Sequence, residues 1–198
     1  YASPSQINFV VPWSAPTTSF SDLQVVQVST GRVLAAGLVS MNSVSPAIFT
    51  GATISPGRVQ AAVINNKDGT VNGPTNPAAR GDFISIYATG QGYLTNPPAD
   101  GDNPPSPIST DSSINLRVIM GSQPLDSFPL QPGEKVSDNC PKFLCYSGTS
   151  SYPGLWQINV QIPQGVDPTT PAAVALNVNG ITSNGTTANT AIPVIFVK

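Results

Sequence analysis

The stretch Gln157-Ile158-Asn159-Val160-Gln161-Ile162-Pro163 alternates apolar and polar residues and closes on a proline, and the chain carries it twice. Its earlier copy is Gln6-Ile7-Asn8-Phe9-Val10-Val11-Pro12. A period of two is the mark of a half-buried β-strand, with Ile7, Phe9 and Val11 on one face. The likeness runs on downstream: Pro16-Thr17-Thr18 answers Pro168-Thr169-Thr170, and residues 25–31 answer residues 174–180. The copies lie 151 residues apart at Gln6/Gln157 and 149 apart at Gly31/Gly180, so only the loop between the matched strands differs in length. Three matched blocks in one order indicate a duplicated β unit. More than a hundred residues precede the second copy and only five precede the first. The expectation is a chain that opens inside a partial domain.

Composition agrees with an all-β reading. Only 9% of the 198 residues are charged, against roughly 25% in ordinary soluble proteins. Seventeen glycines and 21 prolines punctuate the chain, the pattern of short strands joined by turns. Hydroxyl and amide side chains supply the polarity, which suits a secreted surface. The net charge of −2, with the basic residues scattered singly, gives no electrostatic case for nucleic acid or anionic lipid, and nucleic acid is not expected as a partner. No run reaches the roughly 18 apolar residues of a membrane span. The two cysteines, Cys140 and Cys145, stand in Cys-Pro-Lys-Phe-Leu-Cys. Too few for a zinc site, they read as a disulfide-closed loop in an oxidising compartment, or as two reduced thiols flanking a strand.

In chain order, residues 5–11, 23–29 and 32–40 read as three strands, the last two joined by a hairpin turn at Ser29-Thr30-Gly31-Arg32. Ser43-Val44-Ser45-Pro46 reads as a linker, because a residue before proline is held extended. Fresh strands follow at 47–50, 59–65, 82–89, 114–120, 125–130, 143–146, 155–162, 173–179 and 191–197. Asp68-Gly69 and Gly90-Gln91-Gly92 mark turns, and residues 93–111 read as a proline-rich surface loop. No window shows a helical stripe. The fold expected is an antiparallel immunoglobulin-like β-sandwich over residues 45–198, preceded over residues 1–44 by a partial, three-strand copy of a similar unit. Those three strands lack a covering layer. Something must shield Ile7, Phe9, Val25, Val28 and Leu38.

Several motifs resemble one family. They are residues 1–13 (Tyr-Ala-Ser-Pro-Ser-Gln-Ile-Asn-Phe-Val-Val-Pro-Trp), Ser45-Pro46-Ala47-Ile48-Phe49-Thr50, Asn76-Pro77-Ala78-Ala79-Arg80-Gly81-Asp82, Tyr87-Ala88-Thr89-Gly90-Gln91-Gly92 and Pro153-Gly154-Leu155-Trp156-Gln157-Ile158-Asn159-Val160. Spread over nearly the whole chain, they resemble the Solibacter-type C-terminal domain of large secreted acidobacterial proteins. The resemblance implies a β-rich extracellular or cell-surface module with no established activity and no catalytic residues to carry over. The Cys140 and Cys145 loop is not part of that pattern.

The chemistry of the side chains points away from catalysis. Without histidine, Ser-His-Asp, Cys-His and histidine-metal sites are all excluded. Most acids (Asp68, Asp100, Asp102, Asp138, Asp167) sit in turns, where short carboxylates serve the backbone. Asp100-Gly101-Asp102-Asn103 lacks the further acids of a calcium loop and reads as a turn. Arg80-Gly81-Asp82 leads into a strand and reads as structural. Asn184-Gly185-Thr186 fits a glycosylation sequon but also makes a good hairpin turn. No enzyme, cofactor or metal is expected.

Two functions remain. The first is a structural subunit of an extracellular filament or assembly, a homo-oligomer or homopolymer built by strand contacts between copies. Its candidate strands are Gln6, Ile7, Asn8, Phe9, Val10 and Val11, and Ala191, Ile192, Val194, Ile195, Phe196 and Val197. The second is a module for surface carbohydrate, using Tyr93, Tyr146, Tyr152 or Trp156 as stacking faces, although Trp156 reads as core.

Overall fold

The computed structural model describes residues 1–104, 107–111, 113–121, 123–125, 144–183 and 191–198, with the backbone alone at 123–125. Among these residues there is no helix. The chain divides into two compact units, Tyr1–Ser43 and Val44–Lys198.

The first unit holds one two-stranded sheet. Strand β1 (Phe20–Gln27) pairs antiparallel with β2 (Arg32–Ser40). The expected turn joins them: Gly31 takes a positive φ of 68°, and its N–H donates to the Gln27 carbonyl at 2.9 Å. Glycine adopts that conformation without steric penalty. The first strand is displaced from the expected 23–29, because the Thr30 N–H also returns to Gln27 and closes the ladder there. The partner register slips between Val25 and Val26, leaving Leu34 as the extra residue of a bulge. From Ala35 to Ser40 the ladder is unbroken.

The second unit contains two antiparallel-dominated sheets, consistent with a β-sandwich. In one sheet the order is β10 (Leu144–Thr149), β11 (Trp156–Gln161), β7 (Phe83–Thr89), β3 (Ala47–Ile48), with β6 (Val63–Asn65) also paired to β7. In the other it is β4 (Thr50–Ser55), β5 (Arg58–Ala61), β14 (Ile192–Ile195), β12 (Ala172–Val178), β8 (Leu116–Met120), β9 (Gln123–Leu125), with β13 (Ile181–Thr182) also paired to β12. Only β14 and β5 run parallel among these pairs.

Side-chain alternation makes the core. Along β11 and β12 buried and half-buried residues alternate strictly, so each strand gives one face to the interior. Ile84, Ile86, Ile158 and Val160 from one sheet join Leu116, Val118, Met120, Val174, Leu176 and Val178 from the other in a single apolar cluster. Trp156 is fully buried there and donates its indole N–H to Ser147 Oγ at 2.9 Å.

Residues 47–65 cross between the sheets twice. β3 lies in one sheet and β4 in the other, and the chain returns through β5 and β6. At the crossing the Ala62 N–H donates to the Phe49 carbonyl (2.7 Å) and the Phe49 N–H to that of Tyr87 (3.0 Å), so the backbone stays hydrogen-bonded where the strand pair changes layer. Strand β4 was not anticipated from the sequence, since Thr50-Gly51-Ala52 is poor in strand-forming residues. Pro56-Gly57, a turn dipeptide between two runs, was the available signal. The 93–111 stretch also differs from a plain surface loop: Leu94 is fully buried, and bridges join Leu94 to Thr110 and Ser109 to Gly148.

Candidate assembly surface

The two copies of the repeated motif have opposite fates. In the second copy β11 lies between β10 and β7, with its amides paired on both sides. Ile158, Val160 and Ile162 are 0%, 0% and 1% exposed. Their counterparts Ile7, Phe9 and Val11 are 47%, 59% and 49% exposed. The expected strand over Gln6 to Val11 is not formed. Ser3 to Gln6 instead make a tight turn (Ser3 N–H to the Gln6 carbonyl, 2.8 Å) that folds Ala2 onto Ile7 in one bridge. Phe9, Val10 and Val11 join no strand. The reason is physical: a strand exists only where a neighbour takes up its amides, and past Asn8, whose N–H donates to the Tyr1 carbonyl at 2.8 Å, no described strand pairs with Phe9 to Val11.

The hairpin that follows each copy is shared. β12 turns into β13 at Asn179 (φ 51°) and Gly180 (φ 87°), as β1 turns into β2 at Gly31. Yet β12 meets β8 along one edge and β13 and β14 along the other, whereas among the described residues β1 pairs with β2 alone. Phe20, Leu23, Val26, Val28, Val33, Leu34, Leu38 and Val39 are accordingly exposed.

The second group of candidate strand residues corrects the expectation. Ile192, Val194 and Ile195 belong to β14, which pairs with β12 on one side and β5 on the other. Val197 is buried and bridges Ala78, and Phe196 exchanges hydrogen bonds with the buried Asn72 side chain at 2.8 and 2.9 Å. Ala191, just before β14, is partly buried. Both edges of β14 are filled within the second unit.

The remaining motifs serve the backbone. In Arg80-Gly81-Asp82 the Asp82 carboxylate accepts from the Ala79 N–H (3.1 Å), and the Arg80 guanidinium donates to the Gln164 carbonyl (3.3 Å). Asp68 and Asp167 accept from Thr70 and Thr169 through both hydroxyl and backbone N–H, which holds both carboxyls below their ordinary range. The Asp111 carboxyl is lowered further, to about 2, by the Thr95 hydroxyl at 2.6 Å and by Ser113. Gly101 has φ 85° in a turn closed by Asp102 N–H to the Ala99 carbonyl. Among the described residues no three His, Cys, Asp or Glu side chains form a metal-holding group. Cys145 lies on β10; Cys140, Asp138 and Asn184 lie outside the described residues.

Of the aromatic candidates, Trp156 is core. Tyr146 belongs to β10, where burial pushes its phenol up and its hydroxyl donates to the Thr149 carbonyl at 2.7 Å. Tyr93 and Tyr152 are exposed in loops. Trp156 sits opposite Ala88, so these loops leave the same end of their sheet.

No family model, curated protein or solved structure matches this chain. No helix among the described residues is long and apolar enough to cross a membrane.

Proposed function

We propose that this protein is a non-catalytic, extracellular or cell-surface structural subunit, whose first unit is completed by strand contacts with another copy of the chain. One observation carries the reading. The motif that is central and buried as β11 recurs at Gln6 to Val11 with its apolar face in water. A two-stranded ribbon is marginal alone and gains stability when a third strand or a second layer covers it. Between Tyr1 and Ser43 the only charged side chains are Asp22 and Arg32, so like-charge repulsion opposes contact between copies very little. On this reading the second unit is an immunoglobulin-like sandwich, supported by its two sheets and the strands that change layer. The low charge and the resemblance to the Solibacter-type domain support secretion, and with it a disulfide between Cys140 and Cys145.

Light scattering and electron microscopy of the purified chain, beside a variant lacking residues 1–11, test the proposal. The full chain should form assemblies larger than a dimer, and the variant should form none. Polymer that persists in the variant removes the first segment from the contact, and a monomeric full chain at all concentrations removes the reading.

The exposed Tyr93 and Tyr152, at 63% and 68%, favour a second reading as a carbohydrate-binding module. Glycan binding lost on Tyr93→Ala or Tyr152→Ala would replace the first reading with this one.

A further inference from the structure

Open sheet edges are docking templates, and proteins protect them with charges, prolines, bulges, short strands or a covering segment. In the second unit such protections are visible. The outer edge of β10 is covered by residues 108–110 (Thr110 N–H to Ser147 carbonyl, 2.8 Å; Thr149 N–H to Ile108 carbonyl, 2.9 Å). That of β6 is covered by residues 70–72 (Asn65 N–H to Thr70 carbonyl, 2.8 Å; Asn72 N–H to Val63 carbonyl, 2.9 Å). β3 is two residues long. β4 slips register against β5 twice, between Thr50 and Thr53 and again before Ser55, which twists its edge away. β9 borders residues outside the described set. In the first unit β1 carries Asp22 in mid-strand. The segment Ala35-Ala36-Gly37-Leu38-Val39-Ser40 of β2 differs from all of these. It has no charge, no proline and no irregularity in its ladder, and every residue is exposed.

We infer that the free edge of β2 pairs antiparallel with β2 of a second copy about a twofold axis, giving a four-stranded sheet in the order β1, β2, β2, β1. This deepens the assembly reading above and rests on it. The second copy is the occupant that the strand itself fits. Paired about Gly37, Ala35 faces Val39 and Ala36 faces Leu38, so small residues lie opposite larger apolar ones. Arg32 falls opposite Asn42, and no like charges meet along the ladder. Gly37 has nothing within 4 Å of the position a Cβ would take, so a side chain introduced there meets no neighbour within the chain. Leu38 and Val39, now 70% and 41% exposed, are shielded in part by the partner strand. A twofold contact is self-complementary and closes. The outer strands of the four-stranded sheet are then the β1 strands with their Asp22 guards, so growth by this edge stops at the dimer. Longer assembly requires the separate apolar surface of Ile7, Phe9 and Val11.

Cysteine scanning of the full chain tests the register. Ala35→Cys, Ala36→Cys, Gly37→Cys, Leu38→Cys and Val39→Cys, each oxidised mildly, should give a covalent dimer whose yield peaks at Gly37→Cys. The yield should fall to the wild-type background at Gln24→Cys on β1. Leu38→Lys should weaken dimerisation on the order of tenfold while leaving the β-sheet circular dichroism unchanged. A flat cross-linking profile across β1 and β2, or an assembled wild type without cross-linking anywhere on β2, overturns the edge assignment and leaves the assembly reading standing. A wild type that is monomeric by light scattering at every concentration overturns both.

Discussion

Gln6 to Pro12 and Gln157 to Pro163 are nearly the same sentence read in two contexts. In the second unit the motif lies between two strands beneath a second sheet, and its apolar face vanishes from the surface. In the first unit the same alternation stands in water. The contrast extends to the whole units. Every fully buried apolar residue described lies at Val44 or beyond, while most exposed large apolar residues lie before it. Alternation specifies which face of a strand seeks a core; it does not supply the core. That is the lesson of the pair, and on it rests the proposal that another copy completes the first unit.

The sharpest way to break the comparison is to truncate matched residues. Ile158→Ala removes packing from a closed core and should lower the stability of the second unit by about 2–5 kcal/mol in chemical denaturation. Ile7→Ala should shift that same transition by less than about 0.5 kcal/mol and reduce assembly instead. Equal losses of fold stability would show that Ile7 is already in a core.

A smaller effect compares two glycines with positive φ. A Cβ on Gly90 would come within 1.8 Å of the Ser45 carbonyl oxygen, and backbone cannot yield there. Gly31 has nothing within 4 Å. Gly90→Ala should therefore cost roughly 3 kcal/mol or more, combining left-handed strain with the clash. Gly31→Ala should cost only about 1–2 kcal/mol, from the left-handed conformation alone.

The smallest effect concerns the edges. Asp111 anchors Thr95 and Ser113 in the stretch that covers β10, and its carboxyl is lowered to about 2 from an ordinary 3.8. Because the folded pKa is depressed, the contribution of this anchor is complete above about pH 4 and fades as pH falls toward 2. Hydrogen exchange at the Thr110 and Thr149 amides should quicken over that window, and Asp111→Asn should remove the dependence. An unchanged pH profile in that variant would mean the cover is held by other groups.

Much of this architecture was legible in the chain. The alternation at Ile114, Leu116, Val118 and Met120 marks an inward face, and all four are buried. Asp68-Gly69 turns as its chemistry requires, with Gly69 at φ 72°. What misled was edge status. Residues 191–197 and 6–11 both read as apolar strands free to pair outward, yet Ile192–Ile195 is an interior strand and Phe9 to Val11 form none. The crossings at Phe49 and Ala62 were invisible too, because no residue type announces that a strand is about to change sheets.

The sequence by itself determined the class of structure, the face each strand turns inward, and the places where the chain reverses. Those properties depend on side-chain period and on the φ values that glycine and proline allow, and both are local. Only the tertiary structure decided which strands have two neighbours and which have one. Edge occupancy is a matter of backbone amides meeting across dozens of residues, and the amide is the same at every position. A strand in the centre of a sheet and one at its open edge carry the same alternation, so the unguarded edge of β2 became visible only when its neighbours were placed.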